Sequence, residues 1–330
     1  MIQFISYKIV MNTVFEKIYL SGIIPVVSIE CAADAVSLAK AMLKGGLSVI
    51  EITYRTMAAA EAMKAVSLNC PEMIVGAGTV LTKEQAELAR KMGAEYVVSP
   101  GYDEELADFC KNICMPFIPG VANATDIQKG IKAGLSVFKF FPSEPLGGLK
   151  TINYLSAPFS RIKFVPAGGI DFDNIAEYLS NDHVFACAGG FVARERLIRE
   201  GQWDKVTELC KKAIKTSLDF RIAHVGIHFS CGEDAQKASD WFRGVFDFDI
   251  VTGDSSIFAA SDIELMKTRY LNKNRHIALY ASSVERAHAW LERKGQKIIA
   301  DSIRYDSRGR MLSFYLENEI EGFAVHIVRK

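Results

Sequence analysis

Between about residues 20 and 215, short apolar segments rich in β-branched residues alternate with amphipathic segments such as KEQAELARKMGA. The apolar segments are GIIPVVSI, LSVIEITYR, MIVGAGTV, YVVSPG, PFIPGVA, VFKFFPS, KFVPAGG and VFACAGGF. Near-continuous apolar strands separated by amphipathic helices indicate a parallel sheet covered by helices. Eight such units in about 200 residues predict an α/β fold of the (β/α)8 TIM-barrel type.

A doubly wound open sheet is the alternative, since it also alternates strands with helices. A dinucleotide-binding sheet of that type carries G-x-G-x-x-G after its first strand. Here the glycine pairs follow the seventh and eighth predicted strands, and GAGTV after the third has only part of the pattern. The position of the glycines therefore favours the barrel.

The pattern changes at about residue 220, after the helix GQWDKVTELCKKAIKTSL and the hinge DFRI. The first of two tandem modules contains the strand IAHVGIHF, the helix EDAQKASDWFRGVF and strands through SSIFAASDIELMK. The second contains HIALYA, the helix SVERAHAWLERKG and strands through FAVHIVRK. They predict a smaller α+β domain of paired βαβββ modules. The predicted organisation is an N-terminal extension (1–14), the barrel (15–218) and this second domain (221–330).

The composition bears on partners and location. Lys and Arg total 39, as do Asp and Glu, so no net field favours nucleic acid or an anionic membrane. No apolar run reaches membrane-spanning length, and MIQFISYKIV lacks the basic front end and cleavage site of a signal peptide. Seven cysteines without framework spacing suit a reducing cytoplasm. We expect a cytoplasmic protein that binds a small molecule, with no nucleic-acid or membrane partner.

Lys139 is a charged residue that the apolar pattern does not explain. It lies in FKFFPSE, in the predicted sixth strand, between apolar neighbours on both sides. An ammonium taken out of water is costly unless paired or neutralised, and a lysine with a lowered pKa becomes an amine nucleophile at neutral pH. One interpretation is a Schiff-base lysine. The alternative is a strand-end lysine that extends to solvent or meets a carboxylate.

Other polar residues follow the carboxyl ends of predicted strands, where catalytic groups emerge in this type of barrel. Glu51 and Arg55 lie on EITYR after the second strand, and Thr79 ends GAGT after the third. Because side chains alternate along a strand, Glu51 and Arg55 can both face the barrel interior. A carboxylate suits proton transfer and a guanidinium suits recognition of a substrate carboxylate. An ion pair between the two is the structural alternative.

Seven motifs, GIIPVV, IEITYRT, VGAGTVLT, VSPG, FIPGV, FKFFPSE and PAGGI, occur in this order over about residues 15 to 215. They resemble the class I aldolases for 2-keto-3-deoxy-6-phosphogluconate (KDPG) and 4-hydroxy-2-oxoglutarate (KHG). The resemblance implies a homotrimeric barrel, without a metal cofactor, that acts on a small 2-oxo acid. Lys139 would form the Schiff base with the 2-oxo group, and Glu51 would relay protons. The implied substrate-binding residues are Arg55, on the pyruvate carboxylate, and Thr79, Pro100 and Phe141.

The implied reaction yields pyruvate and glyceraldehyde 3-phosphate, as in the Entner–Doudoroff route, or pyruvate and glyoxylate from the shorter substrate. An iminium on the lysine draws electrons from the breaking carbon–carbon bond, so no metal is needed. We expect the phosphate on the glycine pairs after strands seven and eight, where barrels frequently bind this anion. These residues are Gly168, Gly169, Gly189 and Gly190. Glycines that only permit tight turns are the alternative.

Two positions depart from the family pattern. PAGGI has Ala167 where a threonine is common, and Phe191 replaces the serine that often follows the last glycine pair. Both changes remove a hydroxyl that would face the distal end of the substrate. We therefore expect a weaker preference for phosphorylated substrates than is usual in the family.

The paired modules are similar to the vicinal-oxygen-chelate group, which includes glyoxalase I and bleomycin-resistance proteins. In its metal-using members, the ligands come from the first and last strands of each module. The matching positions imply a divalent metal such as zinc, nickel or iron, held by His224, Glu264, His276 and His326. His228, which faces the same side as His224, is the alternative ligand.

Two classes of function follow. In the first, the lyase has an accessory C-terminal domain that senses a metabolite or contributes to oligomer contacts. In the second, that domain adds a metal-dependent isomerase, lyase or dioxygenase activity. A non-catalytic binding protein is disfavoured, because a buried lysine beside an arginine and a glutamate is poorly suited to binding alone.

Overall fold

The computed structural model describes residues 13–269 and 275–329, so the predicted extension over 1–14 falls almost wholly outside the described residues. Contacts divide the chain between Ser217 and Leu218 into two compact units. Among the described residues, no helix combines the length and the apolar character that crossing a membrane requires.

Each of the eight apolar segments of the first unit contains a strand. The strands are β1 (Ile23–Val27), β2 (Val49–Thr53), β3 (Ile74–Gly78), β4 (Tyr96–Val98), β5 (Phe117–Ile118), β6 (Gly120–Val121), β7 (Val137–Phe140), β8 (Lys163–Pro166) and β9 (Cys187–Gly189). The fifth segment is divided into β5 and β6 by Pro119, which has no N–H to give to a neighbouring strand.

Parallel pairing joins these strands into a barrel-like α/β domain. One sheet has the order β5-β4-β3-β2-β1-β9, and a second has the order β6-β7-β8. Isolated parallel bridges, Phe164 with Val184 and Ala167 with Ala188, connect the end of the second sheet to the region of β9. The expectation of a barrel-like α/β domain is confirmed, and its closure as a (β/α)8 barrel stays a prediction.

Helices alternate with the strands along the chain, and the first of them precedes β1. They are α1 (Thr13–Ser21), α2 (Ala32–Lys44), α3 (Ala59–Asn69), α4 (Lys83–Lys91), α5 (Glu104–Asn112), α6 (Ala124–Lys132), α7 (Gly148–Ser156), α8 (Ile175–Ser180), α9 (Glu195–Arg199) and α10 (Trp203–Leu218). Thr82, Asp103 and Asn123 cap α4, α5 and α6, each accepting a hydrogen bond from a backbone N–H three residues on. These caps fix where the three helices begin.

An apolar layer fills the interior beneath the polar residues. Val49 and Val137 belong to one buried cluster with Ile24 and Tyr96. Because side chains alternate along a strand, Glu51 and Lys139 face the same way as the valines two positions before them. The barrel is thus closed by hydrocarbon on one side of the polar site.

In its described residues, the second unit has one eight-stranded sheet and two α-helices. Its strands are β10 (Arg221–His228), β11 (Ile250–Thr252), β12 (Ser256–Ala259), β13 (Ile263–Met266), β14 (Arg275–Ala281), β15 (Arg304–Tyr305), β16 (Met311–Ile320) and β17 (Phe323–Arg329). The helices α11 (Gly232–Phe246) and α12 (Val284–Arg293) follow the first strand of each half. Each half therefore reads strand, helix and three strands.

Pairing in this sheet brings together the strands that carry the histidines. The order is β11-β12-β13-β10-β14-β17-β16-β15. The first and last strands of each half are parallel neighbours, β10 with β13 and β14 with β17. The two first strands pair antiparallel and join the halves. Side chains from four adjacent strands can therefore converge on one face.

Candidate active site and candidate metal centre

Lys139 and Glu51 form a buried pair inside the first unit. The Nζ atom of Lys139 lies 3.1 Å from the Oε1 atom of Glu51. The two residues are only 6 % and 1 % exposed. Lys139 is therefore paired with a carboxylate and does not extend to solvent. At this distance a proton can pass directly between the amine and the carboxylate.

Two glycines of β3 provide space for neighbouring side chains, Gly78 for Glu51 and Gly76 for Tyr96. A Cβ atom at Gly78 would lie 2.3 Å from Glu51 Oε1, and one at Gly76 would lie 2.1 Å from the Cζ atom of Tyr96. The tyrosine hydroxyl donates to the carbonyl of Ile50, 3.1 Å away. Burial raises the pKa of Tyr96, and the charge of Glu51 raises it further. The partial glycine pattern of VGAGTV thus serves side-chain packing within the barrel.

The other residues implied for the pyruvate end follow strands of the same unit, and among the described residues of this set only Phe141 has a recorded contact with the pair. Arg55 is exposed, and within the part of the chain that the structure describes Glu51 pairs with Lys139 and not with Arg55. Thr79 has a left-handed backbone, with φ of 55°. Phe141 is 37 % exposed, with the Lys139 Nζ atom 5.8 Å from the centre of its ring. Pro100 is exposed as well, and its carbonyl oxygen lies where a side chain at position 120 would begin.

The loop after β8 requires its glycines. Gly168 and Gly169 have φ of 88° and 90°, a conformation that other residues rarely adopt. A Cβ atom at Gly169 would lie 2.4 Å from the Cγ atom of Glu144. Glu144 accepts a hydrogen bond from the hydroxyl of Tyr178, which lies 3.0 Å from the Ser143 hydroxyl. Sequence analysis did not predict this carboxylate beside the loop, although it closes the FKFFPSE motif.

The second glycine pair follows β9. Gly189 is the last residue of that strand, and Gly190 follows it. A Cβ atom at Gly190 would lie 3.2 Å from the carbonyl oxygen of Val26 on β1. The pair therefore lies where β9 meets β1, at the carboxyl end of the strands.

Three donor atoms of the second unit converge on one point. The Nε2 atoms of His224 and His276 lie 3.1 Å apart. The Oε2 atom of Glu264 lies 3.3 Å from the first and 3.1 Å from the second. His326 joins them, because one ring nitrogen from each of the three imidazoles lies within 4.8 Å of the others. The structure thus brings together all four residues that the resemblance implies as metal ligands.

Protons alone cannot satisfy this triangle of contacts. The Glu264 carboxylate, being ionised, can only accept hydrogen bonds, so His224 and His276 must both carry a proton on Nε2 to bond it. Two N–H groups then lie 3.1 Å apart and cannot bond to each other. A cation between the atoms would attract all three lone pairs at once.

The surroundings of His326 also favour a bound cation. Neither of its ring nitrogens has a hydrogen-bond partner among the described residues, and a buried polar group without one is costly. Burial lowers the pKa of His326 to about 3, and the neighbouring histidines lower it as well. The ring is therefore neutral at neutral pH, the state in which imidazole binds a metal.

Glu264 is the anionic member of the group. Burial would raise its pKa, but hydrogen bonds with His224, His276 and Ser256 hold that pKa well below its usual range. The Ser256 hydroxyl donates to the other carboxylate oxygen at 2.8 Å. One carboxylate and three imidazoles suit zinc, nickel or iron, so the residues fit the implied metal.

Gly226 creates the room for this convergence. A Cβ atom there would lie 1.9 Å from the Cε1 atom of His276 and 2.3 Å from each of its ring nitrogens. The alternative ligand, His228, makes a different contact: its Nε2 atom lies 2.7 Å from His276 Nδ1. Sequence analysis did not single out this glycine, although its place between two histidines in HVGIH was a usable signal.

The model of the family described as "KDPG and KHG aldolase" matches residues 14–209 of the chain, well over half its length. The chain belongs to this aldolase family. It is a carbon–carbon lyase, because its relatives are named aldolases. This agrees with the class expected from the motifs around Lys139 and Glu51.

Individual relatives show the same extent of similarity. The 2-dehydro-3-deoxy-phosphogluconate aldolase of Treponema pallidum is 42 % identical over 205 residues, 62 % of this chain and 98 % of the relative. The KHG/KDPG aldolase of Escherichia coli K12 is 36 % identical over 205 residues, 62 % of this chain and 96 % of the relative. A crystal structure of the Legionella pneumophila KDPG aldolase, with pyruvate captured as a covalent carbinolamine, has a TM-score of 0.59. It is 35 % identical, covering 61 % of this chain and 98 % of that one.

The two departures from the family motifs both lie in buried surroundings. Ala167 is buried directly after β8. The ring of Phe191 is buried too and packs edge-on against Phe172, with centroids 5.1 Å apart. The Nζ atom of Lys212 in turn lies 4.5 Å from the centre of the Phe172 ring. At position 191 this aldolase therefore has aromatic packing in place of a hydroxyl.

Proposed function

We propose that the first unit is a class I aldolase that cleaves KDPG to pyruvate and glyceraldehyde 3-phosphate, and KHG to pyruvate and glyoxylate. The observation that carries the proposal is the 3.1 Å contact between Lys139 and Glu51 in a buried position. The name of the Legionella structure, which states that pyruvate is covalently held, supports a covalent mechanism. The proposal includes a (β/α)8 TIM barrel, a homotrimer and a cytoplasmic location.

The reaction begins at the amine of Lys139. Glu51 takes a proton from the ammonium, and the free amine attacks the 2-oxo carbon to give a carbinolamine. Glu51 returns that proton to the carbinolamine hydroxyl, which leaves as water and gives the iminium, so that Glu51 is again a carboxylate. Glu51 then removes the proton of the C4 hydroxyl, and the C3–C4 bond breaks as its electrons move into the iminium. The aldehyde leaves, and an enamine of pyruvate stays on the lysine. Glu51 returns a proton to C3, and water releases pyruvate.

The remaining residues hold the two ends of the substrate. Arg55, which has no ion pair among the described residues, binds the pyruvate carboxylate as a bidentate donor. Thr79, Pro100 and Phe141 shape the pocket around the 2-oxo group. The phosphate lies on the backbone amides of Gly168, Gly169, Gly189 and Gly190.

Reduction of the trapped intermediate tests this function. Borohydride added with pyruvate should attach a reduced pyruvyl group to the peptide that contains FKFFPSE, and mass spectrometry locates the added mass. Lys139→Ala should abolish both labelling and turnover. Labelling that persists in this variant would remove the lysine assignment.

For the second unit, we propose a metal centre of the vicinal-oxygen-chelate type with its own glyoxalase-like or dioxygenase-like activity. The observation that favours it is the convergence of His224, Glu264 and His276, with the partnerless His326 beside them. A divalent metal bound there would act as a Lewis acid on a substrate oxygen. The four side chains would hold the ion, and Ser256 would orient the carboxylate.

Elemental analysis of the untagged full-length chain after incubation with zinc, nickel or iron tests the site. Less than about a tenth of an equivalent of metal per chain would reject it.

A further inference from the structure

The proposed metal centre leaves one buried imidazole without a role, that of His228. It lies on β10, on the same side as His224. Its Nε2 atom lies 2.7 Å from His276 Nδ1, and the two ring centroids are 5.0 Å apart. His276 is therefore in contact with the ligand group through one ring nitrogen and with His228 through the other.

We infer that His228 is a positioning residue of the metal centre: it accepts a hydrogen bond from the Nδ1–H of His276, which leaves the Nε2 lone pair of His276 available to a metal held beside His224 and Glu264. The inference rests on the metal centre proposed above. It assigns His228 to the support of a ligand and not to the ligand set itself.

The chemistry of imidazole gives the direction of this hydrogen bond. A neutral imidazole carries one proton, and it binds a metal through the other nitrogen. Because His276 presents Nε2 to Glu264 and His224, a metal held there would take the Nε2 lone pair, and the ring proton would then lie on Nδ1, facing His228. Ligating histidines commonly donate their second N–H to a carboxylate, a carbonyl or water, and this outer contact fixes the tautomer and the ring orientation. Here an imidazole nitrogen takes the place of that acceptor.

The absence of a side chain at position 226 makes the orientation of the His276 ring depend strongly on its contact with His228. Because position 226 has no side chain, the His276 ring lies across β10, between His224 and His228. His276 is fully buried, and its two polar edges are occupied by the ligand group and by His228. Loss of the acceptor at 228 would leave a buried N–H unpaired, which favours other ring orientations or the other tautomer.

Zinc affinity of the full-length, untagged chain tests the role, measured by competition with a chromophoric chelator. His228→Phe keeps a ring without the acceptor, and His228→Gln supplies an acceptor oxygen on a side chain of similar reach. We expect His228→Phe to lower the affinity about 10- to 100-fold, the usual effect of losing such a contact, and His228→Gln to recover most of the loss. His288→Gln is the matched control, because His288 lies on α12 and pairs with Glu292, and it should bind zinc as the wild type does.

A second measurement protects the test against misfolding of a variant. Nitrogen-15 NMR of histidine-labelled, zinc-loaded wild type should show His276 protonated at Nδ1 and ligating through Nε2. Zinc on Nδ1, or unchanged affinity in a folded His228→Phe variant, would overturn the inference. If the wild type binds no zinc, the proposed metal centre is wrong, and so is the role of His228. If the wild type binds zinc and His228→Phe binds it equally well, only the role of His228 is wrong.

Discussion

Glu51 occupies the space that a side chain at Gly78 would need: a Cβ atom there would lie 2.3 Å from Glu51 Oε1 and 2.6 Å from its Cγ atom. The two residues lie on neighbouring strands, β2 and β3. The position of the proposed proton carrier is therefore set by the absence of a side chain on the adjacent strand.

Gly78→Ala should slow aldol cleavage without removing the nucleophile. The added methyl group displaces the Glu51 carboxylate, while Lys139 on β7 stays in place. We expect kcat to fall about a hundredfold, the scale of lost acid–base help, with borohydride trapping of pyruvate still detectable. Gly244→Ala, where a Cβ atom meets no heavy atom within 4 Å, is the matched control and should leave the rate unchanged. A Gly78→Ala enzyme of normal kcat would show that Glu51 tolerates the shift.

Glu51→Gln should separate imine formation from turnover. Glutamine fills the same space over Gly78 but cannot take a proton, so steady-state cleavage of KDPG should slow by about a hundredfold or more. Trapping of pyruvate on Lys139 should persist at least in part, because the amine and the pocket remain. If trapping and turnover fell equally, Glu51 would instead act only in the formation of the imine on Lys139.

Phe191 should weaken discrimination in favour of the phosphorylated substrate. We expect the ratio of kcat/KM for KDPG over KHG to rise about tenfold or more in Phe191→Ser, since a hydrogen bond to a charged group contributes about 1.5–3 kcal/mol. Phe191→Ala, which removes the ring without adding a hydroxyl, separates the two effects. A wild-type enzyme that already shows a very large preference for KDPG would mean that the glycine loops suffice for the phosphate.

Removal of metal should distinguish the two units. A strong chelator should leave the release of pyruvate from KDPG unchanged, because imine chemistry at Lys139 needs no metal. Any activity of the second unit should disappear, and the thermal transition of that unit should fall, since a ligand that binds only the folded state stabilises it. Loss of pyruvate release on chelation, reversed by adding metal, would contradict this division.

Gly226→Ala should abolish tight zinc binding. A methyl group there overlaps the ring of His276, so this ligand must turn away from His224 and Glu264. Competition with a chromophoric chelator measures the loss, and Gly244→Ala on α11 again serves as the control. Zinc affinity equal to that of the wild type would show that His276 is not required in its present place.

Several features could be predicted from the sequence because they depend on local patterns. The alternation of apolar and amphipathic segments predicted the strands of the first unit, and the seven motifs predicted the aldolase family through their resemblance to it. The four implied metal ligands came from the resemblance of the two modules to the vicinal-oxygen-chelate group, whose ligands lie on the first and last strands; here those strands are neighbours. Local hydrogen-bonding groups such as Asp103 also show in the sequence where helices begin.

Contacts between distant residues were decided only by the tertiary structure. The sequence allowed Glu51 to pair with Arg55 four residues away, whereas the folded chain pairs it with Lys139, 88 residues away. The reason is curvature: residues on β2 and β7 meet only when the sheet bends around an interior. In the same way, the register between β10 and β14 placed the ring of His276 over Gly226 and gave His228 its contact. The sequence by itself determined which groups were available and which strands carried them, and packing across strands decided which atoms came within bonding distance.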